Sequence, residues 1–77
     1  MKQQKKTFIV STEITISSYA YYHSWLINTF NQGYAEILLK QHIENLYKDQ
    51  LYEYGICGVF EIDAKDIEII RNFLPVL

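Results

Sequence analysis

The 77 residues include one cysteine, carry a formal net charge of −2, and are 49% hydrophobic and 16% aromatic. A chain of this length makes one domain that buries only about 60–65% of its unfolded surface, and the lone Cys57 excludes an internal disulfide as an extra staple. The weak acidity excludes the strongly basic profile of a typical nucleic-acid binder, and no run reaches the roughly 20 apolar residues that a membrane helix needs.

In chain order, Met1–Lys6 carries Lys2, Lys5 and Lys6 and is expected to be a flexible basic arm on a single domain spanning 1–77. It does not read as a secretory signal, because an alternating segment follows it in place of an apolar run and a small-residue cleavage site. A cytoplasmic protein is expected. Thr7 to Ile16 reads as a strand, with Phe8, Val10, Ile14 and Ile16 on one face and Thr7, Ser11, Glu13 and Thr15 on the other. Ile9 is the apolar exception on the polar face.

Residues 19–30 admit two readings. Tyr, Trp, Ile, Thr and Phe favour a strand over about 19–27, with Ser17-Ser18 turning the chain into a hairpin. A helix from Ser18 is the competitor, its stripe formed by Tyr19, Tyr22, Leu26 and Phe30. The scarcity of strong helix formers favours the strand. Ala35 to Gln50 reads as the clearest helix, with Ala35, Leu39, Ile43 and Leu46 along one side and Leu38 and His42 flanking. Glu36–Lys40 and Glu44–Lys48 are four-residue pairs worth about 0.2–0.5 kcal/mol each. Gly33 is expected to break the chain ahead of this helix, and Tyr54-Gly55 to end the helical region.

Ile56 to Ile62 alternates again, placing Ile56, Gly58, Phe60 and Ile62 together and Cys57, Val59 and Glu61 opposite. Gly58 marks a bulge or a close backbone approach. Asp63 then reads as a helix cap with Asp66 in the capping-box position. Ile67, Ile70, Phe73 and Leu74 form that helix's buried side, and Pro75 stops it. The expected fold is α+β: a small, mainly antiparallel sheet of about three strands packed by two helices, in the order β-β-α-β-α, with β-α-α-β-α as the alternative. Such a sheet has open edges, and the first strand carries few charges to protect one.

The candidate functional residues come from aromatics and charge. Tyr19-Ala20-Tyr21-Tyr22-His23-Ser24-Trp25 packs four large aromatics into seven residues. If the odd positions of a strand are buried, Tyr19, Tyr21, Trp25 and Ile27 enter the core and Tyr22 faces outward with Leu26. If the even positions are buried, Tyr19, Tyr21 and Trp25 face outward, and a helix also pairs Tyr21 with Trp25. Tyrosine suits an interface, having an apolar body and a polar tip. Charge divides along the chain, with residues 49–77 holding Asp49, Glu53, Glu61, Asp63, Asp66 and Glu68 against Lys65 and Arg71.

No catalytic set is legible, and no cofactor is implied. His23, His42 and Cys57 are the soft metal ligands, but their spacing supports no metal site. Direct nucleic-acid binding lacks the phosphate-directed charge that supplies affinity, with one arginine in the chain. The expectation is a stoichiometric protein-binding module. Tyr19, Tyr21, Tyr22 and Trp25 would anchor a larger protein or ribonucleoprotein complex, and Glu53, Glu61, Asp63, Asp66 and Glu68 would steer toward its basic surface. The first alternative is a structural or regulatory homodimer that spends the aromatics on its own interface. Ranked below it is a single-stranded nucleic-acid-binding module, in which an aromatic-bearing sheet stacks bases beside the basic arm of Lys2, Lys5 and Lys6.

Small size, missing chemistry, exposed aromatics, the acidic second half and a lysine-over-arginine bias typical of AT-rich coding resemble the general profile of phage- and plasmid-borne inhibitors, anti-CRISPR proteins among them. For a phage-encoded chain that resemblance implies a place of action in the host cytoplasm, and the lack of a long apolar run leads to the expectation of no membrane partner.

Overall fold

The computed structural model describes residues 4–77. It contains three strands and two helices in the order β1 (Lys6–Ile16), β2 (Tyr19–Thr29), α1 (Gln32–Leu46), β3 (Glu53–Ile62) and α2 (Ala64–Ile70). The sheet order is β2-β1-β3, and both outer strands run antiparallel to β1. This is the α+β fold and element order expected above. The first strand is central, however, so the open edges belong to β2 and β3.

The β1–β2 hairpin is closed by Ser17 and Ser18, with φ of 51° and 72°. Positive φ at both turn positions matches the twist of the flanking strands, but it holds two β-carbon-bearing residues in a conformation that favours glycine. The turn fixes the register from Ile16↔Tyr19 down to Lys6↔Thr29. Lys6 already lies in the strand, and its Nζ sits 3.4 Å from Glu61. Lys5 Nζ lies 5.8 Å from the Phe30 ring centroid. Of the expected arm, residues 1–3 lie outside the described residues.

Because β2 and β3 both oppose β1, they are parallel to each other, and α1 must cross the sheet to connect them. Asn31 starts α1, its Oδ1 accepting from the Tyr34 N–H at 3.0 Å. The cap places Gly33 inside the first turn rather than ahead of the helix. The helix ends at Leu46, short of Gln50, and β3 takes up Glu53–Gly55. Its charge pair is Lys40–Glu44 at 4.0 Å, not either of the two expected. Ala35, Leu39 and Ile43 pack onto Phe8, Val10, Ile14, Trp25 and Ile27, forming the core on one face of the sheet. Thr12 joins this buried row, and its Oγ1 donates to the His23 carbonyl at 3.1 Å.

β3 shifts phase midway. The register passes from Ser11↔Gly58 to Thr12↔Ile56, so Cys57 is an extra, bulged residue. Gly58 is the bulge signal anticipated from the sequence. The inserted residue, however, puts Tyr54 and Ile56 on the α1 side together with Val59 and Glu61, leaving Gly58, Phe60 and Ile62 opposite. The grouping of Ile56 with Phe60 therefore does not hold.

The C-terminal segment is lightly seated. Asp63 is the N-cap of α2 but makes no side-chain cap bond; its carbonyl accepts from the Asp66 and Ile67 N–H groups instead. The helix has no buried residue, and Phe73 is 80% exposed rather than part of a buried side. The tail then returns to the outer edge of β2. The Leu26 N–H donates to the Pro75 carbonyl at 2.9 Å, and the Leu77 N–H donates to the Leu26 carbonyl at 2.8 Å.

Candidate binding surface on the open sheet face

Opposed residues of an antiparallel pair point to the same side, so the register defines the rows of the face turned away from α1. They run Asn28–Thr7–Ile62, Leu26–Ile9–Phe60, Ser24–Ser11–Gly58, Tyr22–Glu13–Gly55 and Ala20–Thr15–Glu53. Ile67 of α2 borders a cavity with Thr7, Asn28 and Ile62 at the first of these rows. The tail passes Leu26, which is buried. Beyond that end the face is open.

Its middle is flat because its residues are small. Ser11 and Ser24 share a hydrogen bond between hydroxyls at 2.8 Å, and Gly58 and Gly55 supply no side chain. A β-carbon at Gly58 would lie 2.7 Å from Phe60 Cε2. The ring therefore lies across the glycine, and the bulge lets Phe60 lie over the sheet. Phe60 is 61% exposed and Tyr22 is 73% exposed, on opposite sides of the serine–glycine row. At the hairpin end, Glu13 and Glu53 border a shallow cavity of about 260 Å³ together with Thr15, Gly55 and Cys57. Aromatic bodies, a level floor and two carboxylates occupy one continuous surface.

The structure divides the expected site residues. Tyr22 and Glu53 lie on the open face. Tyr19 and Tyr21 lie on the α1 side, near the hairpin tip where the helix no longer covers them, and both are exposed. Trp25 requires a correction. It is in the core at 6% exposure, because its row contains Val10 and Val59 under α1. The His23 ring stacks on it at 5.6 Å, and the His42 ring meets it edge-on at 5.7 Å. Glu61 is on the α1 side and engaged by Lys6. Asp63, Asp66 and Glu68 belong to α2 and not to the Tyr22–Phe60 surface.

Sequence reasoning missed Phe60, Ile9 and Glu13. The alternation of 7–16 carried the signal for Glu13, and Gly58 carried it for Phe60. On the α1 side, Tyr47, Tyr52 and Tyr54 form a run of neighbouring rings with centroids 5.7 and 6.4 Å apart. Burial, and then the nearby Glu44 carboxylate, push the Tyr54 hydroxyl above its ordinary pKa. Among the described residues no three His, Cys, Asp or Glu side chains are grouped to hold a metal ion, and no helix is long and apolar enough to cross a membrane. Comparison with known proteins found no matching family model, no matching curated protein and no matching solved structure.

Proposed function

We propose that this protein is a small non-enzymatic binding module that acts stoichiometrically by covering a surface of a larger protein or ribonucleoprotein complex. The observation that carries the reading is the open sheet face, where Tyr22 and Phe60 stand exposed on a floor of serine and glycine. Large rings left in water on a flat patch are the usual anchors of an interface.

Glu13 and Glu53 border the same face, and their charge favours a partner with a basic surface, raising its association rate more than its affinity. Inhibitors carried by phages and other mobile elements, anti-CRISPR proteins included, are the class that this profile resembles. In that setting the basic surface is a nucleic-acid-handling groove of a host complex.

The test is capture from a lysate of an AT-rich bacterium with wild-type bait and a Tyr22→Ala/Phe60→Ala bait. A specific partner is expected on the wild type and lost, by about tenfold or more, on the double variant, whose melting temperature stays near wild type. Equal capture by both baits refutes the assignment of the surface.

A further inference from the structure

The outer edge of β2 presents a second surface, distinct from the open face. Leu26 directs both its N–H and its carbonyl outward to the tail. Amide direction alternates along a strand, so Ala20, Tyr22 and Ser24 direct theirs outward as well, and among the described residues no strand pairs with them. The edge also lacks the usual protection. From Tyr19 to Thr29 there is no lysine, arginine, aspartate, glutamate or proline, whereas the β3 edge carries Glu53 and Glu61. An uncharged edge strand of this kind is a template for another strand.

The helix above this edge is apolar too. His42 touches Trp25 of β2, so the flank of α1 that carries Leu38 and His42 is the one turned toward the β2 edge. Leu46, one turn beyond His42, continues the core line of Leu39 and Ile43 yet is 53% exposed. Tyr19 and Tyr21 stand exposed on the same side of the sheet. The strip therefore combines free amides, two tyrosines and two leucines, with no formal charge along the strand.

We propose that a second copy of this chain pairs its own β2 against this edge, antiparallel and centred on Tyr22. The register follows from the outward amides: Tyr22 meets its counterpart, and Ala20 meets Ser24 of the second copy. The tail at Leu26 already occupies the next outward position, which stops the pairing from sliding. The two-fold axis turns the α1 flanks toward each other, so Leu46 and Tyr21 of both copies close over the joint. The strip is its own complement. The β2 strand itself adds no charge to oppose self-pairing. Of the acidic residues of 49–77, Glu53 and Glu61 lie in β3, Asp66 and Glu68 in α2 and Asp63 at its cap, with Asp49 in the loop before β3. The joint leaves the Tyr22–Phe60 face uncovered and doubles it, so this inference stands or falls independently of the binding reading.

The experiment is light scattering of the full chain across the micromolar range, with Ala20→Pro and Leu46→Lys beside the wild type. Proline at position 20 removes one outward N–H and is compatible with an edge strand. Lysine at position 46 brings two like charges together across the axis. The wild type is expected to reach a two-chain mass, and each variant is expected to need at least about tenfold more protein to do so. Exchange of the Tyr22 amide should slow as wild-type concentration rises. A single-chain wild-type mass throughout that range overturns the proposal, as does a dimer that survives unchanged in either folded variant. Should Ala20→Pro not fold, Leu46→Lys and the Tyr22 exchange decide.

Discussion

The two halves of β2 share a strand and a face but have opposite fates. Tyr19, Tyr21 and His23 point to the same side of the sheet as Trp25 and Ile27. The first three are exposed, and the last two are core. Residue type does not separate them, since a tyrosine buries as readily as a tryptophan when its hydroxyl finds a partner. The difference is cover. A helix of 15 residues spans about 22 Å, while a strand of 11 residues spans about 36 Å. α1 therefore shields the Trp25 end of β2 and stops short of the hairpin tip. Burial along this strand is set by the length of the element above it, and the surplus strand becomes surface.

The largest expected effect breaks the comparison at its buried end. Trp25→Ala should cost about 3–5 kcal/mol in urea denaturation, a large share of the stability of a domain this size. Tyr21→Ala, four residues away on the same face, should cost less than about 1 kcal/mol. Similar losses for the two would mean that helix cover does not divide the strand.

At the exposed end, Ser18→Gly should stabilise the protein by about 1 kcal/mol, because glycine removes the cost of a β-carbon at positive φ. A melting temperature about 4–8 °C higher would report it. No gain would mean that the turn is relaxed as it stands.

The smallest effect concerns the α1 side beside β3. The ordinary tyrosine pKa is 10.0, and Tyr54 lies above it, through burial first and Glu44 second. Below pH 10.0 the hydroxyl is neutral in both the folded and the unfolded chain. Above it, the unfolded chain releases its proton before the folded chain does, so stability should fall as pH climbs from the ordinary value through the raised one. Tyr54→Phe should flatten that part of an alkaline denaturation profile. An unchanged slope would separate Tyr54 from the effect.

Much of this architecture was legible in the sequence. The alternation of Phe8, Val10, Ile14 and Ile16 marked β1, β-favouring residues marked β2, and the Ala35–Leu39–Ile43 spacing marked the core side of α1. What escaped was set by single residues or by distant chain. One bulged residue at Cys57 inverted the phase of half of β3, and alternation cannot show where a phase slips, although Gly58 flagged that it would. The pairing of Pro75–Leu77 with Leu26 joins segments about 50 residues apart in too short a run to leave a pattern. The aromatic cluster was legible as a feature, but its division was not, because where α1 stops decides which rings stay wet. That is how Trp25 left the candidate surface and Phe60 entered it.

The central claim is that β2 passes from surface to core between His23 and Trp25. The chain has one tryptophan, so its fluorescence reports that boundary directly. The account requires blue-shifted Trp25 emission in the native protein and acrylamide quenching several-fold weaker than in urea. Emission and quenching that match the unfolded chain would place the indole in water and contradict it.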